Sequence, residues 1–320
     1  MITKNLNEAI RVLNNNQLIA IPTETVYGLA GNALREKVVE KIFTLKNRPF
    51  YNPLIVHISS KDELTNIAKN IPNKANILAE KFWPGPLTLV LPKLDIVPNK
   101  VTANKNTVAV RVPNHSLSLQ LLKEIDFPLA APSANPFASI SPTTPQHVEN
   151  YFKDKLRLIL DGGICKRGIE STIIGFDDDE PVLYRLGSLS IEQIELAVGK
   201  IKKLTKIDEN KPQAPGMLSK HYAPKTPFYL IENIDLNSFL ACDKNSKLGI
   251  LRFQDFDKRF PTQFQEILST TANLNEAAKN LYAAMHRLDA QQLDLILAEK
   301  LPEVGIGLTL NDKLRRAAQD

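Results

Sequence analysis

Lys46-Asn47-Arg48-Pro49-Phe50-Tyr51-Asn52-Pro53-Leu54-Ile55-Val56-His57 joins two segments of different periodicity. Upstream, Val38, Val39, Ile42 and Phe43 recur at helical spacing and make one apolar face. Downstream, residues 54–58 form a short, β-branched apolar run of strand length. Pro49 disfavours helix at Arg48, and Pro53 biases Asn52 toward an extended conformation. Helix, stiffened turn and buried strand therefore follow one another, with two cations and an amide fixed on the turn. Such a turn suits an anion, because little is left to order on binding. The same Lys and Arg at a helix C-terminus also favour the macrodipole with no ligand at all. This segment alone leaves both readings open.

The 320 residues are 43% hydrophobic and 23% charged, ordinary for a globular chain with room for one large domain and a smaller one. No run approaches the roughly 18 consecutive apolar residues of a membrane span, and residues 1–8 lack the basic start and apolar core of a secretory signal. Two cysteines, Cys165 and Cys242, stand far apart without zinc spacing. That fits a reducing cytosol and argues against a disulfide framework or a structural metal. The expectation is a cytoplasmic protein with no membrane partner. A net charge of +5 and a pI near 9.0 suit anionic ligands, nucleotide and nucleic acid alike.

Residues 6–13 read as an amphipathic helix and 18–21 as a strand, followed by the hydroxyl-rich Pro22-Thr23-Glu24-Thr25-Val26-Tyr27-Gly28-Leu29. Short helices are expected at 62–68 and 75–82, the second running through Trp83, a packing anchor, into a buried strand at 87–91. Residues 107–112 alternate as a strand carrying Arg111, which needs a partner because an unpaired buried charge is costly. A structural carboxylate or a ligand carboxylate serves equally. The small-residue run 128–136 ends in Ser133 and Asn135, which face the same way if the chain stays extended. They offer directed hydrogen bonds to a ligand, or simply a local turn. Residues 139–144 cap a helix from Pro145, and 156–160 form a strand. The loop from Asp161-Gly162-Gly163 to Gly168 has the composition of a ligand loop without the P-loop pattern. A strand at 182–187 carries Arg185, and 191–198 form a helix. Residues 203–225 are polar and proline-bearing, yet Met217, Leu218, His221 and Tyr222 are out of place in a free linker, so this connector is expected to dock on the first domain. Strands at 228–231, 248–253 and 293–297 and a helix at 273–288 predict a small α/β domain. The expected division is 1–202, 203–225 and 226–320.

In this order, residues 22–29, 46–57, 82–91, 108–112, 132–135 and 168–173 resemble the YrdC-like threonylcarbamoyl-AMP synthases. Residues 214–224 with a C-terminal domain are similar to the longer, two-domain form of that family, so the resemblance covers the chain almost end to end. It implies a twisted, mixed α/β sheet with a large concave face, plus a smaller C-terminal α/β (Rossmann-like) domain. It implies a nucleotidyltransferase that joins L-threonine, bicarbonate or carbon dioxide, and ATP into L-threonylcarbamoyladenylate, with release of pyrophosphate. That product feeds the threonylcarbamoyladenosine modification of tRNA through downstream transfer proteins. By the family's Lys-x-Arg and Ser-x-Asn pattern, Lys46, Arg48, Ser133 and Asn135 would grip the phosphates. Asn52, Thr107, Ser141, Arg185 and, from the connector, Tyr222 match further nucleotide-binding positions. Thr25, His57, Arg111, the backbone at Ala131, and Ser171 match threonine-binding positions, with Arg111 taking the amino-acid carboxylate. Mg²⁺ would be held mainly through ATP, with no metal ligand from the protein. Two departures qualify the match. Gly175 stands where an acidic residue is common, which puts in doubt a metal or water contact from that strand end. Gln213 replaces another polar residue and bears only on connector docking.

Tyr222 in the nucleotide site would make the connector a lid over ATP. A basic concave sheet also suits an RNA-binding module, or weak tRNA binding beside catalysis, although stacking aromatics are sparse near the motifs. A carbamoyl-transfer protein of the hydrogenase-maturation kind would need cysteine-rich zinc segments and an acylphosphatase-like start, and this chain shows neither.

Overall fold

A computed structural model describes residues 1–204, 212–218, 221–233 and 247–318. Cys242 and the connector stretches 205–211 and 219–220 lie outside the described residues. The N-terminal part is built on one mixed sheet. Its strands are β1 (Ile2–Thr3), β2 (Ile19–Ile21), β3 (Gly28–Asn32), β4 (Ile55–His57), β5 (Leu87–Pro92) and β6 (Thr107–Arg111). They continue with β7 (Leu129–Ala130), β8 (Leu158–Leu160), β9 (Thr172–Asp177), β10 (Glu180–Arg185) and β11 (Lys202–Lys203). Across the sheet the order is β1-β8-β2-β3-β7-β4-β6-β5-β9-β10-β11. A second, wholly parallel sheet has the order β12 (Phe228–Leu230), β15 (Leu295–Ala298), β13 (Leu248–Arg252), β14 (Gln265–Ile267).

The opening stretch folds as its prolines require. Helix α1 (Leu6–Asn14) precedes β2, and α2 (Glu36–Lys46) stops at Lys46, where Asn47 takes the left-handed conformation with φ 52° and ψ 40°. Val38, Val39, Ile42 and Phe43 of α2 are buried against the large sheet. Parallel pairing of β4 with β6 sets His57 beside Arg111, and antiparallel pairing of β4 with β7 sets Val56 beside Ala130. Gly28 bridges to Ser133, so the hydroxyl-rich turn meets the end of the small-residue run. Ligands commonly bind where parallel strands end and the chain changes course, and this is such a place.

Helices α3 (Asn73–Phe82), α4 (Asn99–Thr102), α5 (Ser116–Glu124), α6 (Pro145–Phe152) and α7 (Ile191–Val198) complete the first part. Thr144 caps α6 by accepting from the His147 amide, and Trp83 is a core residue whose Nε1 donates to Leu87 O at 2.7 Å. Residues 61–66 form a 3₁₀ turn rather than the expected α-helix. Strand β11 pairs with β10, so the chain through Lys203 belongs to the large sheet.

Two helices of the C-terminal part, α8 (Leu274–Asp289) and α9 (Ile306–Ala317), face the first domain. Thr309 donates to Gly187 O at 3.1 Å and Lys313 to Leu186 O at 3.1 Å. One apolar cluster joins Val26, Ile140 and Ile169 of the first part to Tyr222, Leu281, Tyr282 and Met285. Gly168 was read as part of a ligand loop, but it packs against α8: at φ +74°, a Cβ there would meet Lys279 O at 2.4 Å. At Gly168 the missing side chain serves packing between the two parts. Gly175, for its part, lies under the Tyr184 ring, where a Cβ would come within 2.3 Å of it.

Candidate active site

Arg48 and Arg111 open onto one hollow, walled by the 23–28 turn, the ends of β4 and β6, residues 131–133 and 170–171, Arg185, and connector residues 215–216 and 221–222. Of the residues singled out from sequence, Thr25, Arg48, His57, Arg111, Ala131, Ser133, Ser171, Arg185 and Tyr222 line it. Lys46, Asn52, Asn135 and Ser141 are buried outside the lining, and half-buried Thr107 begins β6, at the opposite end of the strand from Arg111.

The buried four still bear on the wall. The Lys46 ammonium donates to Ser133 O at 2.6 Å and to Asn135 O, tying α2 to the small-residue run. Asn52 holds Arg48: Nη2 donates to Asn52 Oδ1 at 2.6 Å and to Pro53 O at 2.7 Å, and Nε to Asn52 O at 3.1 Å. Ser133 and Asn135 do not share a face. The Asn135 amide donates back to Ser133 O at 3.0 Å, which turns the chain and sends the Asn135 side chain to Pro136 O and Ser139 O. Ser141 donates to Glu170 Oε1 at 2.6 Å.

The cations of the hollow differ in their partners. Arg185 donates to Ser171 O and Oγ and to Pro215 O, all uncharged. Among the described residues, neither it, nor Arg48, nor Lys46 makes an ion pair. Burial, and Arg185 after it, pull the Arg48 guanidinium down to about 9; burial and then Arg48 hold Lys46 well below its usual range. A bound anion would relieve this strain. Arg111 is different. The sequence left its partner open, and the structure supplies Glu24, a carboxylate 2.7 Å away, together with Thr25 Oγ1 at 2.9 Å and Gly85 O at 3.2 Å. A guanidinium has five N–H donors, so two remain for a second carboxylate.

His57 is pushed down to about 3, by burial first and Arg111 second, and stays neutral at physiological pH, with no hydrogen-bond partner for Nδ1 among the described residues. His221 is likewise held well below its usual range, by burial and then by Arg316, Arg48, Lys46 and Lys313. Tyr222 adopts φ 68°, and its buried hydroxyl has no hydrogen-bond partner among the described residues. A non-glycine residue in that conformation is unusual and is held here by its surroundings: Tyr282 stacks at 5.6 Å, and Lys313 and Arg316 lie 4.8 and 5.1 Å from the ring centre. Gly216, at φ +71°, leaves room for Arg185, whose Nη1 would lie 2.9 Å from an added Cβ.

Glu24, Glu170, His221 and Gly216 were not assigned roles from sequence. Each lies inside a motif already quoted, but side-chain pairings across the sheet and between domains leave no mark in the local pattern.

Residues 11–187 match the Sua5/YciO/YrdC family, described as telomere recombination, and residues 189–319 match the threonylcarbamoyl-AMP synthase C-terminal domain. The threonylcarbamoyl-AMP synthase of Pyrococcus abyssi is 39% identical over 317 residues, covering 96% of this chain and 92% of its own length. That of Bacillus subtilis is 39% identical over 319 residues, covering 97% and 92%. The crystal structure of P. abyssi Sua5 complexed with L-threonine matches with a TM-score of 0.90 at 39% identity, covering 98% of this chain and 94% of that one.

Proposed function

The chain belongs to the threonylcarbamoyl-AMP synthase family, and we propose that its hollow holds ATP and L-threonine side by side for synthesis of L-threonylcarbamoyladenylate. The threonine amine adds to carbon dioxide, derived from bicarbonate, and loses a proton to give a carbamate. A carbamate oxygen then attacks the α-phosphorus, and pyrophosphate leaves. No covalent intermediate on the protein is needed, so positioning and charge neutralisation carry the rate.

The observation supporting this most strongly is the set of buried cations with uncharged partners. Arg48 and Arg185 line the hollow with no carboxylate paired to either among the described residues, and a polyphosphate is the ligand that would offset their charge. On this reading Arg48 and Arg185, with Ser133, grip the phosphates, while Lys46 and Asn135 shape the wall behind them. Asn52, Thr107, Ser141 and Tyr222 serve the nucleotide directly or through these groups. Arg111 offers its two remaining donors to the threonine carboxylate, and Thr25, neutral His57, the Ala131 backbone and Ser171 surround the rest of the amino acid. Mg²⁺ would enter with the triphosphate and neutralise phosphate charge. The lining has one carboxylate, Glu170, whose two oxygens already accept hydroxyl protons, which fits a metal held through the nucleotide.

We divide the chain into a catalytic domain (1–203, ending with β11), a connector (204–225) whose residues 215–216 and 221–222 reach the hollow, and a C-terminal domain (226–320). The product would pass to proteins that transfer the threonylcarbamoyl group to tRNA, in the cytoplasm. Weak tRNA contact beside catalysis has one observation in its favour: Phe50 and Tyr51, on the cationic turn, are 58% and 45% exposed. The direct test of synthesis supplies ¹³C-bicarbonate, ATP and L-threonine and looks for the labelled adenylate by mass spectrometry. ATP turnover with no labelled adenylate would overturn the proposal.

A further inference from the structure

We propose that Tyr282, on helix α8 of the C-terminal part, is a positioning residue for the nucleotide side of the hollow, acting through Glu170; this rests on the function proposed above. Glu170 lines the hollow and is 6% exposed, yet among the described residues no cation pairs with its carboxylate. Two hydroxyls hold it instead: Ser141 Oγ donates to Oε1 at 2.6 Å and Tyr282 OH donates to Oε2 at 2.8 Å. His286, one turn further along α8, places Nε2 3.2 Å from Ser141 O, so the same helix face reaches the carboxylate directly and the residue bearing its other donor.

A buried carboxylate in an anion site poses a specific problem. Arg48 and Arg185 line the same hollow with uncharged partners, and a carboxylate free to rotate would pair with one of them and compete with the incoming phosphates. Charge-assisted bonds from two hydroxyls keep both Glu170 oxygens occupied and the arginines available. Tyr282 also packs against Tyr222 at 5.6 Å with an interplanar angle of 29°. One ring therefore supports the connector while its hydroxyl restrains the acid. The C-terminal domain would in this way set the charge presented to ATP.

Tyr282→Phe keeps the ring contact and removes only the hydroxyl. The expected result is an increase of about tenfold in the Kd for a non-hydrolysable ATP analogue and in the KM for ATP, with kcat and the KM for threonine little changed. Ser141→Ala, removing the other donor, should act in the same direction. The decisive arm is rescue: in a Glu170→Gln background, where no competing charge exists, Tyr282→Phe should cost less than about twofold. A defect of equal size in both backgrounds would mean that Tyr282 acts through packing and would overturn the proposal, as would unchanged nucleotide affinity in folded Tyr282→Phe. Calorimetric binding of the analogue reads this without catalysis, so wild-type protein that binds nucleotide but makes no adenylate would sink the functional reading alone.

Discussion

Glu24 and Arg111 form an ion pair at 2.7 Å with side chains only 4% and 5% exposed, and Arg111 lines the hollow where the amino acid is proposed to bind. Glu24 Oε2 also accepts from the Asn114 amide at 3.0 Å. The carboxylate therefore fixes both the arginine and the strand exit that follows it. Breaking a buried pair from one side leaves the other charge uncompensated, at a cost of about 3–5 kcal/mol. Glu24→Gln should lower unfolding stability by that order in denaturant titrations and raise the KM for threonine. Unchanged stability would show that the pair is not a net support.

Arg316 is expected to hold the connector closed. Its Nη2 donates to Gly216 O at 2.8 Å and Leu218 O at 2.6 Å, and Nε to Leu218 O at 3.0 Å. Hydrogen bonds from a charged donor are worth about 1.5–3 kcal/mol each. Arg316→Ala should raise the KM for ATP by at least tenfold and speed proteolytic cleavage within the connector, with far-ultraviolet dichroism preserved. Proteolysis at the wild-type rate would argue that other contacts secure the lid.

Gly216→Ala tests the same strap from the opposite side. The positive φ disfavours any side chain, and the new Cβ would stand 2.9 Å from Arg185 Nη1. Loss of nucleotide affinity is expected, with thermal stability falling by about 1 kcal/mol or more. Wild-type affinity in this variant would show that Arg185 does not depend on the connector's close approach.

His147 of α6 and His286 of α8 stack at 3.9 Å across the junction of the two parts. Burial, then His286 and Arg287, push His147 down to about 3, and burial pushes His286 down to about 4. Both folded values lie below the ordinary 6.5, so the unfolded chain binds more protons between pH 6.5 and 4. Their contribution is fully present above pH 6.5 and is lost as the pH falls through the folded values. Melting temperature should fall from pH 7 to 5, and a His147→Gln/His286→Gln double variant should flatten that dependence. An equally steep decline in the variant would assign the acid sensitivity to other groups.

The turn between α2 and β4 was legible because Pro49 and Pro53 act on their immediate neighbours. Arg111 was legible as a buried cation needing a partner, because the demand is set by its own strand. Which carboxylate answers it was not, since Glu24 lies on a distant turn brought close only by the sheet. Helix α9 is not legible in the sequence although Ile306, Leu310, Leu314 and Ala317 have helical spacing. Buried Thr309, Asn311 and Lys313 interrupt that stripe. They are tolerated inside because Gly187 O, Leu301 and Leu186 O receive their hydrogen bonds. The shared face expected of Ser133 and Asn135 failed for a local reason, the back-bond from the Asn135 amide, which no side-chain pattern announces.

The most direct measurement is pyrophosphate release by the purified chain with ATP, Mg²⁺ and bicarbonate, with and without L-threonine. If one hollow holds both substrates in reacting positions, release should depend on threonine and fall by at least a hundredfold in Arg48→Ala and Arg111→Ala, each of which removes a charged contact to one substrate. Release at the same rate without threonine, or in Arg111→Ala, would contradict a shared site.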